Sequence, residues 1–211
     1  MEFGRHIKGL FDFSGRENRQ PFWLWVLVTY VIQMGLSMIV TIPVMVIYIQ
    51  RIMMMARQDQ SAFADNPEAA QKAAMQIMAP MMNAIMIAGA LVAVVWAVLL
   101  AAAAVRRLHD SGRAGWWAAP YFTFHLVIPF VVAGVMPQMF EKMPYLPPDA
   151  SQAQVQAAMG PFFQSFAWIS ALGGVQVLLL IVMIVLLCMP GTPGPNRYGE
   201  DPLGLPAMDL S

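Results

Sequence analysis

The chain has 211 residues, 59% of them hydrophobic and only 11% charged, against roughly 25% charged in an ordinary soluble domain. Twelve basic residues balance twelve acidic ones, no long basic run occurs, and Cys188 is the one cysteine; this argues against a nucleic-acid binder, a disulfide framework and a Cys-based zinc site. The charges avoid four runs, 20–50, 73–105, 114–140 and 150–196, each longer than the roughly 20 residues that cross a hydrocarbon core of about 30 Å. The expected fold class is all-α, an integral membrane bundle of four transmembrane helices forming a single membrane domain over 1–211.

The N-terminal segment repeats apolar residues at Phe3, Ile7, Leu10 and Phe11, with Arg5 and Lys8 elsewhere on the wheel, which predicts a helix lying in the membrane interface. The first span is expected over 22–49, with Asn18 as N-cap and Pro21 in the first turn; it is too long for a cleaved leader. In the outer connection that follows, Asn66-Pro67-Glu68 starts a short helix over Ala69 to Ala79. The second span is expected over 81–105, and its small residues Ala84, Ala88, Gly89, Ala93 and Ala97 let another helix approach closely. The third, over 116–136, contains Pro120 and Pro129 and should kink there. Ser151 and Gln154 have capping-box spacing before a short helix closed by Gly160-Pro161. The fourth span, 162–189, stops at Pro190, because the Pro-Gly-Thr-Pro-Gly-Pro run beyond it cannot be helix and leaves a non-helical tail.

Basic residues are retained on the cytoplasmic side of a membrane. Arg5, Lys8, Arg16, Arg19, Arg106, Arg107, Arg113 and Arg197 fall on one side of a four-span chain, and Arg51, Arg57, Lys72 and Lys142 on the other. Both termini are therefore expected in the cytoplasm.

That face collects three segments: Phe11-Asp12-Phe13-Ser14-Gly15-Arg16 with Arg19; Arg106-Arg107-Leu108-His109-Asp110-Ser111-Gly112-Arg113 with Trp116-Trp117; and Pro190 to Pro202, containing Asn196-Arg197-Tyr198-Gly199-Glu200-Asp201. In these the chain resembles the small bacterial inner-membrane proteins grouped as domain of unknown function 805. Members carry F-x-G-R before the first helix, R-R-L-H-D-[ST]-x-[KR]-x-[GA]-W-W between spans, and P-G-T-P-G-x-N-R-[YF]-G-x-D-P in the tail. The resemblance implies an inner-membrane location and a multi-pass architecture, and brings no established activity. The two long outer connections depart from the compact family pattern, and Pro21 stands where the family often has an acidic residue.

The arginines of these motifs (Arg16, Arg19, Arg106, Arg107, Arg113, Arg197) present forks suited to carboxylate or phosphate, and Asp12, Glu17, Asp110, Glu200 and Asp201 supply carboxylates. The expected arrangement is mutual pairing that locks the tail under the bundle, with Arg197 meeting Asp12 or Asp110, and Glu200 or Asp201 meeting Arg106, Arg107 or Arg113. A second reading turns some arginines toward anionic lipid or another anionic ligand. His109-Asp110 invites acid/base chemistry, but no nucleophile accompanies it, and His6 and His125 are isolated. Thr29, Gln33, Ser37 and Thr41 form an i, i+4 row on the first span, read as an interhelical hydrogen-bonding seam in preference to a polar path, since no ionisable acid or base lies in any span. Nineteen methionines are read as flexible filler, with soft-metal binding the minor alternative.

The functional expectation is a structural or interaction module, not an enzyme, contacting the bilayer, anionic lipid, a protein partner or a second copy. No metal, cofactor or nucleic acid is expected. The alternative is a small transporter or channel using the polar row.

Overall fold

A hydrocarbon interior offers the backbone no water, so a chain this apolar must satisfy its N–H and C=O groups along helices. The computed structural model, which describes residues 3–58, 66–141, 143–147 and 149–204, does so with α1 (Phe3–Lys8), α2 (Arg19–Gln58), α3 (Pro67–Asp110), a 3-10 turn (Gly115–Ala118), α4 (Ala119–Glu141) and α5 (Gln152–Cys188). Four of these segments are long and apolar enough to cross a membrane: Arg19–Met55, Pro67–Asp110, Gly115–Phe140 and Gln152–Cys188. They leave large hydrophobics such as Ile39, Trp168 and Leu178 mostly exposed. Apolar surface on that scale needs lipid rather than water as its solvent. The chain is a multi-pass membrane protein.

The helices run further than the apolar runs predict. The short helix expected over Ala69 to Ala79 is the leading part of α3, which continues through Pro80, and Gly160-Pro161 does not close a helix but lies inside α5. A proline forfeits one ladder bond, while the turns on either side keep theirs. Each leading segment is also secured by its predicted cap. Asn66 Oδ1 accepts from Ala69 N at 3.0 Å, and Ser151 and Gln154 bond reciprocally at 2.9 and 3.4 Å. At 1.5 Å per residue the 44 residues of α3 span about 66 Å, more than twice the hydrocarbon thickness. Pro120 falls in the first turn of α4, where its missing N–H costs nothing, and Pro129 and Pro137 are the prolines inside that helix.

The chain divides into two compact units. Unit 1 comprises Met1–Gly35, Leu91–Val127 and Gly174–Ser211. Its core joins Phe22 and Trp25 of α2, Ala97, Leu100, Ala104 and Leu108 of α3, Tyr121 and Phe122 of α4, and Met183 and Leu187 of α5. Alanines on α3 let the aromatic rings of α2 and α4 reach its backbone. Trp25 Nε1 donates to Leu99 O at 2.8 Å. Ala93 and Ala97 of the predicted small-residue row are buried, whereas Ala84 and Gly89 are exposed.

Unit 2 comprises Leu36–Ala90 and Ile128–Gly173. Gln71 Nε2 donates to Pro144 O at 3.2 Å, and Phe140 meets Phe162 edge-on at 6.0 Å. Met139 and Met143 line a cleft of about 410 Å³ with Gln138, Pro161, Phe162 and Ser165.

Candidate functional site

The three motif segments lie in unit 1 and converge on the C-terminal turn of α3. That helix ends at Asp110, and Gly112, at φ 72°, takes the left-handed conformation that reverses the chain; Gly112 N donates to His109 O and Arg113 N to Leu108 O. The last turn thus presents Arg106, Arg107, His109 and Asp110 on a rigid support.

Asp110 is the centre. Its Oδ1 accepts from Arg16 Nε at 3.1 Å and lies 3.0 Å from Arg16 Nη2 as an ion pair, and its Oδ2 accepts from Arg107. The side chains of Arg16, Arg107 and Asp110 are 1%, 0% and 5% exposed, so this triad is dry and its charges depend on one another. Arg16 also donates to the carbonyls of Gly194 (2.6 Å) and Thr192 (2.6 Å), and Arg107 to those of Leu187 (3.0 Å) and Met189. Those last two carbonyls belong to the end of α5, where the helix has run out of donors and Pro190 supplies none. Arg107 therefore caps α5 from another helix, with its charge at the negative end of the helix dipole.

The tail packs against this connection, as the motifs predict. Thr192 N donates to Asp110 O at 2.8 Å and Asn196 Nδ2 to His109 O at 3.0 Å. His109 stacks on Tyr198 at 3.8 Å, and its Nδ1 meets Gly15 O at 3.2 Å, so the ring is fixed between the first and third motifs. Gly191 sits so close to Asp110 that a Cβ there would come within 2.9 Å of the carboxylate carbon.

The individual charge partners differ from those expected. Arg197 lies over the Tyr198 ring at 4.7 Å and donates to Gly112 O at 3.3 Å; among the described residues it pairs with no carboxylate. The carboxylate of Asp12 bonds to Ser14 N and Oγ, and Asp12 O accepts from Arg106. Asp201 accepts from Gly194 N and Leu203 N, closing a turn within the tail instead of reaching an arginine. Both carboxylates take donors within two to seven residues of themselves, because short Asp side chains in loops reach local amides and hydroxyls first. Arg19 is exposed, and Arg113 donates to Ser111 O at 3.4 Å.

Glu17, one of the carboxylates expected to pair, and His6, expected to be isolated, complete the cluster. Glu17 accepts from Arg106 Nε at 2.9 Å and faces His6 Nε2 at 2.5 Å, and the His6 ring stacks on Trp25 at 4.8 Å. Nothing in the spacing of His6 marks it, since the turn at Gly15 (φ 80°) is what returns Glu17 to α1.

A family model described as a protein of unknown function (DUF805) matches residues 10–200. The chain belongs to the DUF805 family. No curated protein and no solved structure matches it. The match runs from the first motif of this DUF805 chain to the third, the stretch that closes around Asp110.

Among the described residues the predicted polar row makes no interhelical side-chain hydrogen bond. Thr29 is wholly buried and returns its hydroxyl to Val26 O of its own helix at 2.9 Å, while Gln33, Ser37 and Thr41 are half-buried and make no side-chain hydrogen bond to a described residue. Among the described residues no three His, Cys, Asp or Glu side chains gather as a metal site would need.

Proposed function

We propose that this DUF805 protein resides in the bacterial inner membrane with both termini in the cytoplasm, and that its polar cap is a fixed, non-catalytic platform for anionic lipid or a protein partner. The observation that carries the reading is the state of Asp110. A carboxylate that accepts from two buried arginines is a poor general base, and here it ties the first motif to the second while the Asp110 main-chain oxygen holds the tail. His109 is likewise committed, to Tyr198 and Gly15.

What the cap leaves open is aromatic and basic. Phe11, Trp116 and Trp117 are 77%, 62% and 45% exposed, and Arg113 and Arg197 carry donors not taken by carboxylates among the described residues. Trp side chains and arginines together suit the headgroup level of a membrane. Ile7 is exposed on α1, as an interfacial helix requires. Orientation follows from the eight basic residues on the motif side.

Photo-crosslinking groups placed at Trp117 and Phe11 in native membranes test the reading. Discrete lipid or protein adducts at these positions, lost when Arg113 and Arg197 become alanine, are the expected result. Solute-dependent swelling of proteoliposomes with no such adducts would make a transporter the better account.

A further inference from the structure

A second feature of unit 1 is not used by that platform. Beside the triad a cleft of about 250 Å³ is lined by His6, Arg16, Glu17, Asn18, Pro21, Arg106 and Pro202. Its charge is unbalanced. Arg16, Arg106 and Arg107 bring three guanidiniums, and Glu17 and Asp110 two carboxylates, all of them side chains no more than 11% exposed. Each guanidinium meets a carboxylate, but Arg16 and Arg107 share Asp110, so the buried set carries one net positive charge.

The donors that remain point to what would balance it. Arg106 spends Nε on Glu17 and Nη1 on Gly9 O and Asp12 O, leaving Nη2 without a described acceptor. Asn18 uses its Oδ1 on Arg19 N, leaving its amide nitrogen. His6 is 8% exposed, and its Nδ1 has no hydrogen-bond partner among the described residues. With Nε2 at Glu17, Nδ1 is the ring nitrogen left for a ligand in the cleft that His6 lines. Asn18 and Pro21 also mark the start of the 40-residue α2, where the helix dipole and orphan amides favour negative charge.

We propose that this cleft binds a phosphate group, held by Arg106 Nη2, Asn18 Nδ2 and His6 Nδ1. Donors from three separate segments suit a tetrahedral oxyanion better than a planar carboxylate. The cleft also has room for a substituent on the phosphate. The group belongs either to a phosphorylated solute or to a lipid headgroup, and the two sources separate experimentally.

The full chain, purified in a maltoside detergent that contains no phosphate, is titrated with sodium phosphate at constant ionic strength and, separately, with short-chain phosphatidylglycerol, with thermal unfolding as readout. A saturable rise in Tm with at least one probe is expected. Phosphate sufficing alone identifies a solute site, and a response to the lipid only identifies a headgroup site. Asn18→Asp places a negative charge in the cleft while keeping the helix cap, so its ligand-free Tm should hold while apparent affinity falls at least tenfold. His6→Phe keeps the stack on Trp25 and should weaken binding comparably, whereas Arg57→Gln, in unit 2, should not. No response to either probe, or a full response in Asn18→Asp, would overturn the proposal. Neither result bears on the crosslinks at Trp117 and Phe11.

Discussion

Replacing Arg107 with alanine tests the triad most directly. The side chain is fully buried and donates to Asp110 and to the Leu187 and Met189 carbonyls. Its removal leaves Asp110 with Arg16 alone, strips the end of α5 of its cap and opens a void the size of a guanidinium and its stem. Losing one member of a buried, hydrogen-bonded ion pair costs roughly 3–5 kcal/mol. For a chain of this size each kcal/mol moves Tm by about 2–4 °C, so the expected loss is about 6–20 °C. Arg57→Ala removes an exposed charge near the end of α2, worth about 0–1 kcal/mol, and should stay within roughly 4 °C of wild type. Arg107→Lys keeps the charge but not the fork that serves two helices, and should fall between the two. Thermal unfolding of the three variants in one detergent is the measurement. Equal Tm values for Arg107→Ala and Arg57→Ala would show that the arginine is solvated and that the cluster does not lock the tail.

Reporter fusions at Ser211 and near Asp65, both outside the described residues, should report opposite sides of the membrane; cytoplasmic activity at both would sink the four-span topology. Gly191→Ala should cost about 1–3 kcal/mol, because the added methyl meets the Asp110 carboxylate at a place both arginines hold rigid; an unchanged Tm would mean the tail moves aside freely. The Ser14 hydroxyl, followed by its backbone N–H, holds the Asp12 carboxyl below the usual carboxylate range, so the turn gains stability above that range and loses it as pH falls through the lowered value. Ser14→Ala should raise the Asp12 titration observed by NMR, and an unmoved titration would contradict the contact.

The sequence made the membrane architecture legible because lipid imposes one rule on every residue of a span, and the charge-free runs record it. Caps were legible for the same local reason: Asn66 and Ser151 with Gln154 act within one turn. The clustering of the three motifs followed from topology and basic-residue bias. What the sequence did not reveal was which arginine meets which oxygen. Arg16 and Arg197 are both arginines of loop motifs, and only the path of the tail decides that Arg16 enters the cluster while Arg197 lies on Tyr198. His6 reads as isolated in the sequence because its partners, Glu17 and Trp25, reach it through a turn and a stack that leave no periodic trace. Helix ends were misplaced where apolarity stopped, since a ladder of backbone bonds continues past Pro80 and Pro161 regardless of what surrounds it.

Arg16 binds the tail almost entirely through main-chain oxygens, and its bond to Gly194 O joins positions 178 apart in the chain. At a synthesis rate of about 5–20 residues per second, Arg16 waits roughly 10–35 s for that oxygen to be made. Until then Arg16 and Asp110 lack the third strand of their cluster, and Arg107 has no helix end to cap. The nascent protein therefore shows an unsatisfied charged face for most of its synthesis and hides it only when the tail emerges. A chain halted before residue 190 would keep that face without its main-chain acceptors at Thr192 and Gly194.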